Sequence, residues 1–177
     1  MRKWSMTELN RLSVEEFKET AKTPLAIVLD NVRSANNVGS VFRTADAFAL
    51  EGLHLCGITA CPPQKDIRKT ALGASDSVDW THWKETSMAI RHLKEEGYKV
   101  IAIEQAEGSI GLQDFRVEAG SKYAVVFGHE VKGVSKEVME LVDACIEIPQ
   151  FGTKHSLNIA VSVGVIVWDL FAKIRFS

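Results

Sequence analysis

Apolar runs of strand length alternate with amphipathic segments of helix length, and this predicts an α/β domain: a mainly parallel sheet with helices on both faces. Two further observations narrow the class. The chain has 177 residues, which suits one domain whose folding buries about two thirds of the surface exposed by the unfolded chain. It is 46% apolar and 25% charged, the balance of a folded chain and not of a disordered one. No internal repeat, low-complexity tract or linker rich in Pro, Gly and Ser divides it.

Taken in order, residues 1–22 read as a short helical extension. Leu9, Leu12 and Phe17, with a Ser13-x-x-Glu16 capping box, predict one or two short helices ending before Pro24. Residues 23–177 form the main domain. Within it, 25–29 is a strand and 38–50 a helix. Asn36 or Asn37 is that helix's N-cap, and Val38, Val41, Phe42, Ala45 and Phe48 are its buried stripe. A strand at 53–58, a loop at Pro62-Pro63 and a short helix near 65–72 follow. Then come a helix at 87–96, strands at 98–103 and 123–127, a helix at 136–142 and a strand at 145–148. The final apolar segment alternates Val161, Val163, Val165 and Val167 as a strand would. Its run of roughly 16 residues from Ser156 without a breaker is too long for a strand, and predicts a buried helix. Ser156 would cap it, and Asn158 would lie in its first turn.

Net charge is −2, from 21 basic and 23 acidic residues, which is not the strong basic excess of many nucleic-acid binders. Local clustering counts for more: Lys65, Arg68 and Lys69 share one short stretch with only Asp66. Cys56, Cys61 and Cys145 cannot all pair and lack metal-ligand spacing, so a reduced, cytoplasmic compartment is expected. The start, Met1-Arg2-Lys3-Trp4, leads into polar residues and not into a signal peptide. The apolar stretch 157–171 is too short for a bilayer and carries Asn158 and Asp169, so no membrane association is expected.

Several motifs fail on their chemistry. Gly128 to Gly133 has the glycine spacing of a phosphate loop, but Val134 stands where the phosphate-reaching lysine belongs. Ala160-x-Ser162-x-Gly164 lies inside the apolar helix, with no sharp turn to expose a nucleophile. No G-x-G-x-x-G follows a strand, and the five histidines lack metal-ligand spacing, so no metal is expected.

Three polar loops remain, each at the end of an apolar strand, where open α/β sheets bind ligands. The first runs from Asp30 through Asn37 to Arg43. Taken alone, Arg43 reads as a solvated cation paired with Asp46 or Asp30. The second, Gly128-His129-Glu130-Val131-Lys132-Gly133-Val134-Ser135, sets an acid two residues after a glycine and offers Ser135 as a helix cap. The third, Ile148-Pro149-Gln150-Phe151-Gly152 on to Ser156-Leu157-Asn158, stops a strand at a proline. It also sends an asparagine into an apolar helix, where a buried amide needs a partner.

In this order the segments N-x5-R, G-x-E-x-x-G-V-S and I-P-x-x-G-x-x-x-S-L-N resemble the three signature motifs of the SpoU/TrmH family. These are RNA ribose 2′-O-methyltransferases of the knotted SPOUT superfamily. The resemblance extends from about Leu25 to the C-terminus, and Lys69-Thr-Ala-Leu-Gly-Ala74 followed by Trp80 adds to it. Two positions depart from the pattern: Gln150 where methionine is usual, and Ala49 where glycine is common.

The resemblance implies a C-terminal deep trefoil knot and S-adenosylmethionine held among the knot loops. Ile103, Gly128, Gly133, Ile148, Pro149 and Leu157 would contact that cofactor. It implies Arg43, Asn37, Glu130, Ser156 and Asn158 as the catalytic set, with Arg43 acting either as the base or as a phosphate clamp. It also implies a homodimer in which Arg43 approaches the partner's cofactor, with Trp168 and Phe171 either at that interface or in the core. RNA is the implied substrate, and the short lead-in favours tRNA over rRNA. The competing class is a non-catalytic knotted RNA-binding protein. Retention of Arg43, Glu130 and Asn158 together argues against it.

Overall fold

The computed structural model describes every residue except Met6, Thr7, Asn10 and Ser177. Helix α1 (Val14–Glu19) opens on the expected capping box: the Ser13 hydroxyl accepts from the Glu16 amide, and the Glu16 carboxylate accepts from the Ser13 amide. It is the one helix of the lead-in among the described residues. A second helix further upstream would include positions 6, 7 and 10, outside the described residues.

The chain then alternates between strand and helix: β1 (Thr23–Asp30), α2 (Ala35–Ala47), β2 (Leu50–Cys56), α3 (Lys65–Ala71) and α4 (Ala74–Ser77). Next come β3 (Trp80–Trp83), α5 (Thr86–Glu95), β4 (Tyr98–Ile103), β5 (Ile110–Gly111) and β6 (Lys122–Phe127). The chain ends with α6 (Lys136–Met139), β7 (Ala144–Glu147) and α7 (Ile159–Phe176). The seven strands make one sheet in the order β3-β2-β1-β6-β4-β7-β5, and every pairing is parallel.

Side-chain alternation along the strands sorts two cores onto the two faces. Leu25, Ile27 and Leu29 of β1, with Tyr123, Val125 and Phe127 of β6, pack beneath α2, α3 and α7. Ala26 and Val28, with Ala124, Val126, Val100 and Ala102, face Ala89, Ile90 and Leu93 of α5.

Several elements differ from the sequence reading. The helix expected at 38–50 begins at Ala35 and ends at Ala47, because Ser34 and not Asn36 or Asn37 is the N-cap, accepting from the Asn37 amide. It stops where Ala49 takes a left-handed conformation at φ 47, and Leu50 already belongs to β2. Ala49 is the residue standing where glycine is common, and it occupies a backbone region that glycine enters at less cost. The helix expected at 136–142 is a single turn. Strand β3 was missed because Trp80-Thr-His-Trp83 lies at the sheet edge, largely exposed and without apolar alternation. Strand β5 was missed because it is two residues long. The valine-rich segment is a helix, but it starts at Ile159. Ser156 therefore lies outside it and does not cap it.

Candidate functional site

Four strands end side by side at the centre of the carboxyl edge. Leu29, Phe127, Ile103 and Ile146 stand in one register row across β1, β6, β4 and β7. The loops leaving that row enclose a cavity of about 530 Å³. Ile103, Phe127, Ile148 and Leu157 give it apolar walls, and Gly128, Glu130, Gly133, Ser156 and Asn158 also line it.

The loop after β6 is fixed by backbone geometry. A Cβ on Gly128 would lie 2.1 Å from the carbonyl carbon of Gly133, and Gly133 itself sits at φ 69. The amide and carbonyl of His129 and Gly133 bond each other at 3.0 and 2.8 Å, closing a tight hairpin. No side chain fits between these two backbones, which is why both glycines belong to the motif.

Carboxylates hold the loops together. Glu130 accepts the Ser34 and Arg33 amides at 2.9 and 3.1 Å, tying the second loop to the entry of α2. Desolvation pushes its carboxyl upward, but the backbone amides of Glu130, Ser34 and Arg33, with the charge on His129, outweigh that and leave it below its ordinary value. Two acids to which the sequence reading gave no place in the site do similar work. Glu104, directly after β4, accepts the Val134 amide at 2.9 Å. Asp30, buried at the end of β1, accepts the Thr86 hydroxyl at 2.6 Å and the Ser135 amide at 3.1 Å. Their signal in the sequence was an acid placed directly at the carboxyl end of an otherwise apolar strand.

The first and third motifs meet through asparagines. Asn158 is the N-cap of α7: its side-chain oxygen accepts the Ala160 and Val161 amides at 2.9 and 3.4 Å. Its amide nitrogen donates to the Asn37 side chain at 3.3 Å. The asparagine entering the apolar helix thus has both its cap and its partner.

Three of the expected site residues do not line this cavity: Pro149, Arg43 and Asn37, the last of which meets it only through its bond to Asn158. Pro149 does not line it and is exposed, although its neighbours Ile148 and Gln150 do line it. Arg43 is exposed on α2 and lines a second cavity, and it forms no ion pair among the described residues. The partners considered for it are engaged elsewhere: Asp46 accepts the Ser77 hydroxyl at 2.5 Å, and Asp30 is buried. Among the described residues, no group of three or more His, Cys, Asp or Glu is placed to hold a metal ion. No described helix is long and apolar enough to cross a membrane.

An all-parallel sheet with a glycine-walled, partly apolar cavity at its carboxyl edge suits a small-molecule ligand, and likeness to known proteins gives the class, an S-adenosylmethionine-dependent RNA methyltransferase. Residues 24–168 match the model of the SpoU rRNA Methylase family, and the chain belongs to that family. It is 33% identical over 164 residues to a tRNA (guanosine(18)-2′-O)-methyltransferase of Thermus thermophilus, across 92% of this chain and 82% of that one. Its fold matches the AdoMet-bound rRNA methyltransferase of Sinorhizobium meliloti with a TM-score of 0.80 at 25% identity, covering 91% of this chain and 61% of the other. A structure solved to explain 2-OH methylation of C/U34 on tRNA matches with a TM-score of 0.75 at 27% identity. The match covers 85% of this chain and 97% of that one.

Proposed function

We propose that this protein transfers a methyl group from S-adenosylmethionine to a ribose 2′-hydroxyl of RNA, with tRNA favoured over rRNA. The observation that carries the reading is the cavity that the second and third motifs line at the ends of β4, β6 and β7, with the first motif tied to its rim through Asn37–Asn158 and through Glu130. Its volume suits a small-molecule cofactor. Its apolar walls suit an adenine ring, and its tight glycine loop brings backbone polar groups within reach of a ligand. Similarity to the Thermus tRNA enzyme supports the preference for tRNA.

S-adenosylmethionine bound in the cavity would supply an activated methyl group on a sulfonium leaving group, for displacement by the ribose 2′-oxygen with release of the hydroxyl proton. The protein's residues mainly orient that hydroxyl and provide for its proton. A guanidinium offers donors and no acceptor, so the role that fits Arg43 is a phosphate clamp, and the phosphate oxygen it holds receives the proton. Asn37 orients the same phosphate and is itself held by Asn158. Glu130 fixes the loop between the cavity and α2. Ser156 and Leu157 shape the mouth, and Ile103, Gly128, Gly133 and Ile148 form the cofactor's seat. Pro149 rigidifies the loop from outside it.

Arg43 lies off its own chain's cofactor cavity, which favours a homodimer whose active sites form across the interface. Val161, Val165 and Trp168 make an exposed stripe at i, i+4 and i+7 along α7. Phe48 packs against Trp168 and Phe171 at ring-centroid distances of 5.9 and 5.1 Å beside that stripe. We place this face at the dimer contact. The three free thiols suit a cytoplasmic enzyme.

The test pairs calorimetric titration with S-adenosylhomocysteine and mapping of 2′-O-methyl groups on a pool of unmodified tRNA transcripts. Saturable binding with methyl transfer supports the reading. RNA binding without cofactor binding or transfer overturns it in favour of a non-catalytic RNA-binding protein.

A further inference from the structure

The second cavity, of about 510 Å³, lies between α2 and α3, with Ser40, Arg43 and Phe48 on one side and Lys69 and Leu72 on the other. Its two walls are locked together. A Cβ on Gly39 of α2 would lie 2.0 Å from the Thr70 hydroxyl oxygen and 2.4 Å from the Ile67 carbonyl oxygen, so only glycine allows this approach. Thr70 also donates to the Asn36 carbonyl at 2.9 Å. Arg43 and Lys69 are therefore two cations held on opposite walls of one groove.

Along α3, Lys65, Arg68 and Lys69 fall at i, i+3 and i+4 and are exposed, while Ile67 and Ala71 are buried, and Leu72 follows directly after the helix, also exposed. None of Arg43, Lys65, Arg68 and Lys69 forms an ion pair among the described residues, whereas Lys94, Lys99, Lys122 and Lys173 do. The helix dipole accounts for Arg68 and Lys69 in the last turn. It does not account for Lys65, which sits at the positive end, where a cation is disfavoured. The stripe ends at Leu72, 67% exposed and held left-handed at φ 51. Such a conformation is costly for a residue with a Cβ, and here it displays an apolar side chain beside the cations.

We propose that this groove seats the RNA backbone: Lys69 and Arg43 clamp from two sides the phosphate beside the methylated ribose. Lys65 and Arg68 hold the phosphates that follow, and Leu72 packs on the sugar face of the strand. This rests on the RNA methyltransferase reading above. It adds Lys69 as a second phosphate ligand and fixes the strand's path along α3.

The test measures binding of a fluorescent pool of unmodified tRNA transcripts to the full chain by anisotropy across a salt series. Lys69→Ala is expected to weaken binding on the order of tenfold and to reduce the log–log salt slope by about 1. Lys65→Ala with Arg68→Ala should reduce it by up to about 2, and Lys69→Arg should keep the wild-type slope. Arg91→Ala, on the opposite face at α5, controls for loss of any surface cation. S-adenosylhomocysteine affinity, measured on the same proteins, should stay unchanged throughout. Wild-type affinity and slope in Lys69→Ala, an equal loss in Arg91→Ala, or no RNA binding by the wild type would each overturn the groove. If the wild type methylates RNA while Lys69→Ala binds as tightly, the groove fails and the enzyme reading stands. If RNA binds through the groove but S-adenosylhomocysteine does not bind, the enzyme reading fails and the groove stands.

Discussion

The two cavities are built by opposite means. Around the first, the loop after β6 leaves no room for a Cβ at Gly128, and both Glu130 and Glu104 accept backbone amides from loops far away in sequence. Around the second, the functional groups are long side chains whose charged ends meet no carboxylate among the described residues, although the helices beneath them are locked at Gly39. A substitution at the first should act through geometry, moving cofactor binding and stability together. One at the second should act through charge, moving RNA handling alone.

The largest effect expected is at Arg43. On the proposed reading, Arg43→Ala should lower methyl transfer on the order of 10²–10³-fold, by removing the phosphate clamp. Affinity for S-adenosylhomocysteine and the melting temperature should not move, because the side chain is exposed and lies outside the first cavity. Parallel loss of cofactor affinity, read by calorimetry, would erase the contrast between the two cavities.

Gly128→Ala should produce the opposite pattern. Its Cβ would meet backbone and not a movable side chain, so the hairpin must shift, at about 1–3 kcal/mol. Cofactor affinity and transfer should then fall together by on the order of tenfold or more, with a lower melting temperature. Wild-type affinity in a folded Gly128→Ala protein would show that the loop has slack the structure does not display.

Asn158→Ala is a smaller case on the same side. The substitution removes the cap of α7 and the bond to Asn37, so about 1 kcal/mol of stability should go, with a matching loss of cofactor affinity. Unchanged melting and unchanged binding would mean that the cap is replaced by water at no cost.

The same contrast decides how much could be read from the sequence. Arg43, Glu130 and Asn158 were singled out through the resemblance to the SpoU/TrmH motifs, since taken alone Arg43 reads as a solvated cation, and the close backbone approach at Gly128 shows why a glycine stands there. The valine-rich helix was legible from its length alone, since its composition pointed to a strand. Ser34 was passed over as the N-cap because Asn36 and Asn37 stand close after it, and propensity does not choose among three good capping residues within four positions. Pro149 carries the motif's signature yet does not line the cavity, because a motif records which residues build a loop and not which of them reach the ligand space. Asp30 and Glu104 were passed over because their partners are backbone amides about 100 and 30 positions away, pairings that exist only once the chain has folded.

The finest test concerns Glu130, whose carboxylate belongs to the first cavity yet is largely exposed. Its folded-state carboxyl lies below the ordinary value of 4.5, because backbone amides bind the charged form more strongly than burial penalises it. The folded protein therefore takes up this proton less readily than the unfolded chain. The stability Glu130 contributes is complete above about pH 4.5 and is lost as the pH falls through the depressed folded value. Solvent screening keeps the contribution below about 1 kcal/mol. Glu130→Gln keeps the shape and one acceptor oxygen but removes the charge, so its melting temperature should fall slightly below that of the wild type at neutral pH. The gap should close as both proteins are melted at successively lower pH towards 3. A gap that stays constant across that range would assign the effect to the lost second acceptor and not to charge. Glu130 would then act as a purely geometric pin, like Gly128 beside it.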